Sequence, residues 1–454
     1  MPTEVLPKND DHKTEVLKRD HSTLLWPAVL FVTAIIARLI YLAVMGIPSQ
    51  GGGDAEGYIA LATNVANGFG FSADGVTPST FRPPLFSWLL GMWCSFLGST
   101  SLQTMVAFQV FVQSLCAPLT YFLIREIQPH ERLASAGGLF VAVYPFIFSN
   151  VGLVLQEPVQ MLLATAIGLA VIKWYRHRTV WRALFVGLLF GLGALSKGPF
   201  LVGLPIILFS CLLAPNFDRR MLFRQCAIIC TVIILVVLPW TLRNYSASGG
   251  QWIAINSQGT ANLTWAVADG NFIIRHSLAQ PLPEIDPLKS GILLTYGNAD
   301  GRTYLTKVND DLLNKGLREP LITEGVAAAA RSYLLAHPAY VFRKTVRGFI
   351  LLFSPDASVE LTGFLKTRLA AMVLFHFPLA IGLLVGTIRS LRERNVCIGI
   401  LCVFAAAYLL IHAPLAIAGG RYCVPLLPLL IAITAYSFTT HGADGHIQNL
   451  STAF

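Results

Sequence analysis

Two carboxylates and a handful of cations stand out in a chain that is mostly apolar. Asp54 follows three glycines in GGGDAEGY, and Tyr58, Leu61, Ala62 and Val65 then recur at helical spacing, so the carboxylate lies at the mouth of an amphipathic helix. There it is either an N-cap that satisfies helix amides or a base placed to take a proton from a hydroxyl. Glu56, in the same first turn, suits dipole compensation. Glu157 sits in the short connection 150–158 and is either a cap or the partner of Asp54, since group transfer to a hydroxyl uses one acid as base and a second group to orient it. Two outer acids make a divalent cation the candidate cofactor, but with no His or further acid beside them no metal ligand is assigned.

The cations would serve an anion. Arg82 precedes Pro83-Pro84 and the apolar face Leu85, Phe86, Leu89 and Leu90, where it either grips a lipid phosphate or snorkels to headgroups. Lys197, in GALSKGPF, interrupts two apolar runs of about sixteen residues, short enough to hold the ammonium at phosphate depth. Arg243, Asn244 and Tyr245 follow Pro239-Trp240, while His412 ends one apolar run and Arg421-Tyr422 begins the next. Interface anchoring accounts for Trp240 and Tyr422 better than for His412 and the two arginines. Arg38, inside the first apolar run, either snorkels or pairs with an acid.

The elements that must position these residues are membrane helices. Of 454 residues 54% are hydrophobic and 13% charged, with a mean hydropathy of +0.62, which excludes a soluble globular domain. Apolar blocks near 24–45, 102–124, 133–150, 158–175, 181–196, 198–214, 222–240, 366–388, 396–413 and 421–438 read as ten spans, helical because lipid forbids unpaired backbone groups. The run 24–44 is too long for a signal-peptide core and reads as a retained first span. Segments 84–98 and 339–354 are about fifteen residues long and read as juxtamembrane, Arg343, Lys344 and Arg347 marking a polar edge. The net charge of +9 gathers in short loops (Lys173, Arg176, Arg178, Arg182; Arg219, Arg220, Arg224; Arg389, Arg392, Arg394), so it reports cytoplasmic loops rather than nucleic acid. Cys94, Cys116, Cys211, Cys226, Cys230, Cys397, Cys402 and Cys423 all lie in apolar segments and form no CxxC pair, so neither a disulfide framework nor zinc is implied.

With both short segments lying flat, the termini are cytoplasmic and Asp54, Glu56, Arg82, Glu157, Lys197, Arg243, His412 and Arg421 share the outer face, which suggests one site. The expected architecture is an all-α polytopic membrane protein of about ten to thirteen transmembrane helices, with juxtamembrane helices and a small mixed α/β outer domain. Its parts are a cytoplasmic tail 1–23, a catalytic transmembrane module 24–240 with outer loop 46–101, an outer domain and juxtamembrane helix 241–365, C-terminal helices 366–438 and a tail 439–454.

The ordered set Asp54 with Tyr58, Ala62, Asn64, Gly68 and Phe71, then Arg82-Pro83-Pro84, Tyr144-Pro145, Glu157-Pro158, Lys197-Gly198, Pro239-Trp240 with Arg243-Asn244-Tyr245, and Arg421-Tyr422 with Pro425 and Pro428, resembles the dolichyl-phosphate-mannose protein mannosyltransferase-like enzymes and the aminoarabinose transferases of the GT-C superfamily. The resemblance implies transfer of one sugar, hexosyl or pentosyl, from a polyprenyl-phosphate carrier to a lipid, glycan or protein acceptor on the outer face, with inversion. It implies Asp54 as catalytic base, Glu157 as second acid, and Arg82 and Lys197 as phosphate ligands. Tyr58, Glu56, Arg243, Tyr245, His412, Arg421 and Tyr422 are the further substrate-binding candidates. Ala55, where many relatives carry a second acid, weakens the case for a divalent cation. The alternatives are a flippase or transporter for a lipid-linked sugar, and a glycan ligase or polymerase. The expected location is a bacterial inner membrane with the site facing the periplasm, and the partners are a lipid-linked sugar, membrane lipid and an unknown envelope acceptor.

Overall fold

The computed structural model describes residues 11–50, 54–148, 150–205, 208, 218–268, 274, 299–317, 321–353, 372–415 and 419–439. These are helical throughout, apart from turns and one isolated bridge, Ser72 to Pro78. Helices α1 (Asp11–Met45), α2 (Asp54–Ala66), α3 (Pro84–Leu97), α4 (Leu102–Ser114), α5 (Cys116–Ile127), α6 (Glu131–Val143) and α7 (Pro145–Phe148) make the first half. There follow α8 (Glu157–His177), α9 (Val180–Ser196) and α10 (Arg219–Ala247). Then come α11 (Gln258–Ala268), α12 (Ala299–Asn314), α13 (Leu321–Ala336), α14 (Pro338–Leu352), α15 (Phe377–Arg392), α16 (Val396–His412) and α17 (Leu427–Ser437).

Six described stretches are long and apolar enough to cross a membrane, namely Leu25–Met45, Leu102–Ile127, Glu157–His177, Arg220–Ala247, Val373–Arg392 and Gly420–Ser437. The expected count was ten. α9 and α16 have 17 residues each and fall just short in length, while the block 133–150 is divided at Tyr144 into α6 and α7. The block 198–214 begins as a 3-10 turn, Gly198–Val202; its residues 206, 207 and 209–214 lie outside the described residues, as do 366–371, 1–10 and 440–454.

Small residues let the helices close up. In α9, Gly187 and Gly191 face Val232 and Val236 of α10 so closely that a Cβ would stand 2.8 and 2.7 Å from the valine Cβ atoms, the close backbone approach by which membrane helices pack without a hydrophobic driving force between them. α17 lies at the centre, with Leu427 to Ile433 all buried. α3 starts where Pro83 (φ −59°, ψ 141°) and Pro84 set the backbone, and stops at Gly98 in the left-handed region (φ +63°), whose N–H caps Cys94 and Ser95.

The outer segment has its own small core of Val267, Ala268, Leu305, Ile322, Val326, Ala329 and Ala330, made by α11, α12 and α13. A mixed α/β domain was expected here. Its described residues carry no strand, because the apolar positions of α13 recur at helical spacing (Ile322, Val326, Ala329, Ala330) and are satisfied by helix packing. Residues 269–273 and 275–298 lie outside the description. α14 is tied to this core by the Tyr340 hydroxyl, which donates to the carbonyl oxygens of Ala266 and Val267 at 3.0 and 3.2 Å.

Candidate active site

Asp54 opens α2, with its carboxylate shared between two guanidinium groups. Arg82 Nη1 donates to Oδ1 at 2.6 Å, and Arg421 Nη2 donates to Oδ2 at 2.8 Å. Both the cap and the chemical reading place the carboxylate at the helix mouth; the arginines add an ionic role to it. Burial would raise the Asp54 carboxyl, but Arg421 and Arg82 outweigh it and hold the group below the usual carboxylate range. Asp54 therefore stays ionised at neutral pH.

Arg82 reaches Asp54 because α2 and α3 pack with almost nothing between them. Its guanidinium lies over the Tyr58 ring at 4.6 Å and passes Gly57, where a Cβ would come within 3.2 Å of Nε and Nη2. Tyr58 itself is fully buried and stands edge-on to Phe86 at 5.0 Å, so the stripe that reads as an amphipathic face also builds the wall behind the arginine. Glu56, two residues from Asp54 and thus on another side of the helix, is exposed.

Arg421 belongs to the 3-10 turn Gly419–Tyr422 ahead of α17. Its Nε donates to Glu157 Oε1 at 2.5 Å while Nη2 holds Asp54. Glu157, at the start of α8, is only 3% exposed. The two acids thus converge around a guanidinium, which puts a positive charge where a divalent cation would have to bind. Among the described residues no three of His, Cys, Asp and Glu come together. Both acids, Asp54 and Glu157, are already paired with arginine.

Lys197 follows α9 and lies over the Tyr422 ring at 4.7 Å. Burial pushes its amine down to about 8, partly offset by Glu157. Tyr422 in turn stacks on His412 at 5.4 Å. His412 Nδ1 lies 2.7 Å from the Tyr408 carbonyl oxygen, a contact that requires Nδ1 to be the protonated nitrogen.

Arg243 and Tyr245 are placed differently. Arg243 donates to the carbonyl oxygens of Ser79 at 2.5 Å and Phe71 at 2.9 Å, over the Trp240 ring at 4.7 Å, so it pins the outer loop and not the acid pair. Tyr245 lies tilted against the Trp252 ring at 4.8 Å and is 39% exposed. Arg38 meets neither of its expected partners: fully buried, it is held by Gln113 Oε1 at 2.9 Å and by the carbonyl oxygens of Ala34 and Ala142.

Gln160 and Tyr408, both buried beside this cluster, drew no attention in the sequence. An amide three residues after Glu157 in an apolar helix, and a tyrosine four residues before His412, were the available signals.

Residues 81–242 match the model of the dolichyl-phosphate-mannose-protein mannosyltransferase family, the family whose motif order the chain resembles. No curated protein matches the chain. Among solved structures it is similar to the archaeal oligosaccharyltransferase of Archaeoglobus fulgidus in complex with an inhibitory peptide and a dolichol-phosphate, at 15% identity and a TM-score of 0.54, over 92% of this chain and 50% of that one. The same enzyme in complex with Zn and sulfate aligns at 16% identity and a TM-score of 0.51, over 89% and 48%. ArnT from Cupriavidus metallidurans bound to undecaprenyl phosphate aligns at 13% identity and a TM-score of 0.42, over 88% and 77%. The chain therefore spans about half the length of the oligosaccharyltransferases whose fold it shares.

Proposed function

We propose that the chain is an integral-membrane, inverting glycosyltransferase that moves a single sugar from a polyprenyl-phosphate carrier to an acceptor hydroxyl on the outer side of a bacterial inner membrane. The observation that carries this reading is the bridge Asp54–Arg421–Glu157, flanked by Arg82 and Lys197. Three cations against two carboxylates leave one positive charge in a largely buried cluster, and an anion completes it. Dolichol-phosphate in the complex with the related fold supports a lipid phosphate as that anion.

The chemistry follows from charge. As the acceptor oxygen attacks the anomeric carbon, the bond from that carbon to the phosphate oxygen breaks, and the carrier leaves with one more negative charge. Arg82, Arg421 and Lys197 are preorganised to stabilise it. Asp54 takes the acceptor's proton. In the structure its two oxygens are occupied by guanidinium groups, which makes it a weak base, and a carrier phosphate competing for Arg82 and Arg421 would free it. Arg243 keeps the loop 71–79 in place, and Tyr422 and His412 hold Lys197 in position. Residues 81–242 carry Arg82, Glu157 and Lys197, which supports the assignment to a sugar-transferring family.

The test is incubation of purified protein in lipid with polyprenyl-phosphate sugars and an envelope extract, followed by product mass. The acceptor's mass should rise by one sugar while bare lipid phosphate is released. Movement of lipid across the bilayer with no sugar released supports a flippase instead, and addition of a whole glycan chain supports a ligase.

A further inference from the structure

Behind the ion pairs lies a second set of polar groups with a different character. Glu157 spends Oε1 on Arg421, but its Oε2 is buried with no hydrogen-bond partner among the described residues. Gln160, three residues on and about 4.5 Å further along the same helix face, is fully buried with neither amide atom bonded among the described residues. Across from them on α16, the Tyr408 hydroxyl and His412 Nε2 are likewise buried and without a partner among the described residues, in residues 1% and 2% exposed. The Tyr408 and His412 rings lie 4.5 Å apart, Tyr408 is within electrostatic reach of Glu157, and Lys197 is within reach of both Glu157 and His412.

The kind of atom decides the kind of ligand. Glu157 Oε2 only accepts, and because His412 Nδ1 donates to a carbonyl, Nε2 only accepts as well. A phosphate has nothing to donate and would meet a carboxylate oxygen, so it is repelled from these groups and stops at the cations. A hydroxylated, uncharged group suits them: it donates to Glu157 and His412 and exchanges hydrogen bonds with Tyr408 and the Gln160 amide. Leaving such buried groups unsatisfied is costly, and a sugar joined to a phosphate at Lys197 is carried to the side of Lys197 where Glu157 and His412 lie within electrostatic reach.

We propose that Glu157, Gln160, Tyr408 and His412 form a subsite for the hydroxyls of the donor's sugar ring, one helical turn inside the cations that take its phosphate. The assignment rests on the glycosyl-transfer reading above and makes Gln160 and Tyr408 positioning and specificity residues.

The test compares binding, in lipid nanodiscs, of a short-chain polyprenyl phosphate and of the same lipid carrying a mannosyl, glucosyl or 4-amino-4-deoxyarabinosyl group. Wild type should bind at least one glycosylated lipid more tightly than the bare one. Gln160→Leu and Tyr408→Phe, the latter keeping its ring against Phe200 and His412, should each lose about three- to tenfold of that preference, the worth of one hydrogen bond, with bare-lipid affinity unchanged. Preference retained in both variants means that these groups hold only water and overturns the subsite. So does an equal loss for bare and glycosylated lipid, which marks a structural role. Equal affinity of wild type for all four lipids overturns the subsite and leaves the carrier reading standing, whereas no binding even of the bare lipid phosphate overturns both.

Discussion

The guanidinium of Arg421 meets the carboxylate of Asp54 at 2.8 Å across 367 positions of sequence. Through its other edge the same group holds Glu157, so the last membrane helix locks the first outer helix to the start of α8. Lysine, a point charge without a fork, cannot span the two acids. Arg421→Lys should lower the single-turnover transfer rate by about a hundredfold or more. Arg421→Gln should in addition destabilise the fold by of order 3 kcal/mol, since it strands a buried acid; thermal unfolding in detergent checks this.

Lys197 should write the alkaline limb of the pH profile. With the amine brought down to about 8, the free protein loses this positive charge above that pH, so kcat/KM should fall there. With carrier phosphate bound the charged form is favoured, and the limb in kcat should move up. Lys197→Arg should abolish the limb below pH 10. The stability sign is the reverse of a salt bridge: a folded value below the unfolded one means that the charged lysine costs stability below pH 8, relieved as pH rises from 8 to about 10.4.

The Asp54 ion pairs should survive acid. Its folded value lies below the usual carboxylate range, so the stabilisation is present above the unfolded value, about 3.9, and is lost only as pH falls through the lower folded one. Thermal stability from pH 8 to pH 5 should show no step that Asp54→Asn removes; such a step would contradict the pairing.

Arg38 should matter to the fold and not to transfer. Arg38→Met leaves the Ala142 carbonyl and the Gln113 amide without their donor in the bundle interior, at a cost of about 1–3 kcal/mol. The rate per folded molecule, measured after quantifying monodisperse protein, should stay within twofold of wild type.

Much of this arrangement was legible in the sequence where a residue type violates its surroundings. A carboxylate after three glycines, an arginine before two prolines and a lysine between two apolar runs are each out of place in lipid, and the structure brings Asp54, Arg82, Glu157, Lys197 and Arg421 together. Arg243 obeyed the same rule yet serves the loop, because side-chain direction along a helix decides which neighbour it meets. Gln160 and Tyr408 escaped notice since a single polar residue in an apolar run carries no periodic signal. The outer segment was read as mixed because Gly, Asn and Asp suggest turns, while the helices among its described residues are fixed by contacts such as that of Val267 with the α13 face, far along the chain.

The most direct measurement is single-turnover sugar release from radiolabelled polyprenyl-phosphate sugars by wild type and Asp54→Asn side by side, with binding of the carrier lipid followed in the same samples. The account predicts that the variant retains carrier binding and loses transfer by about two to four orders of magnitude, the contribution of a general base. Transfer by Asp54→Asn at the wild-type rate would contradict it.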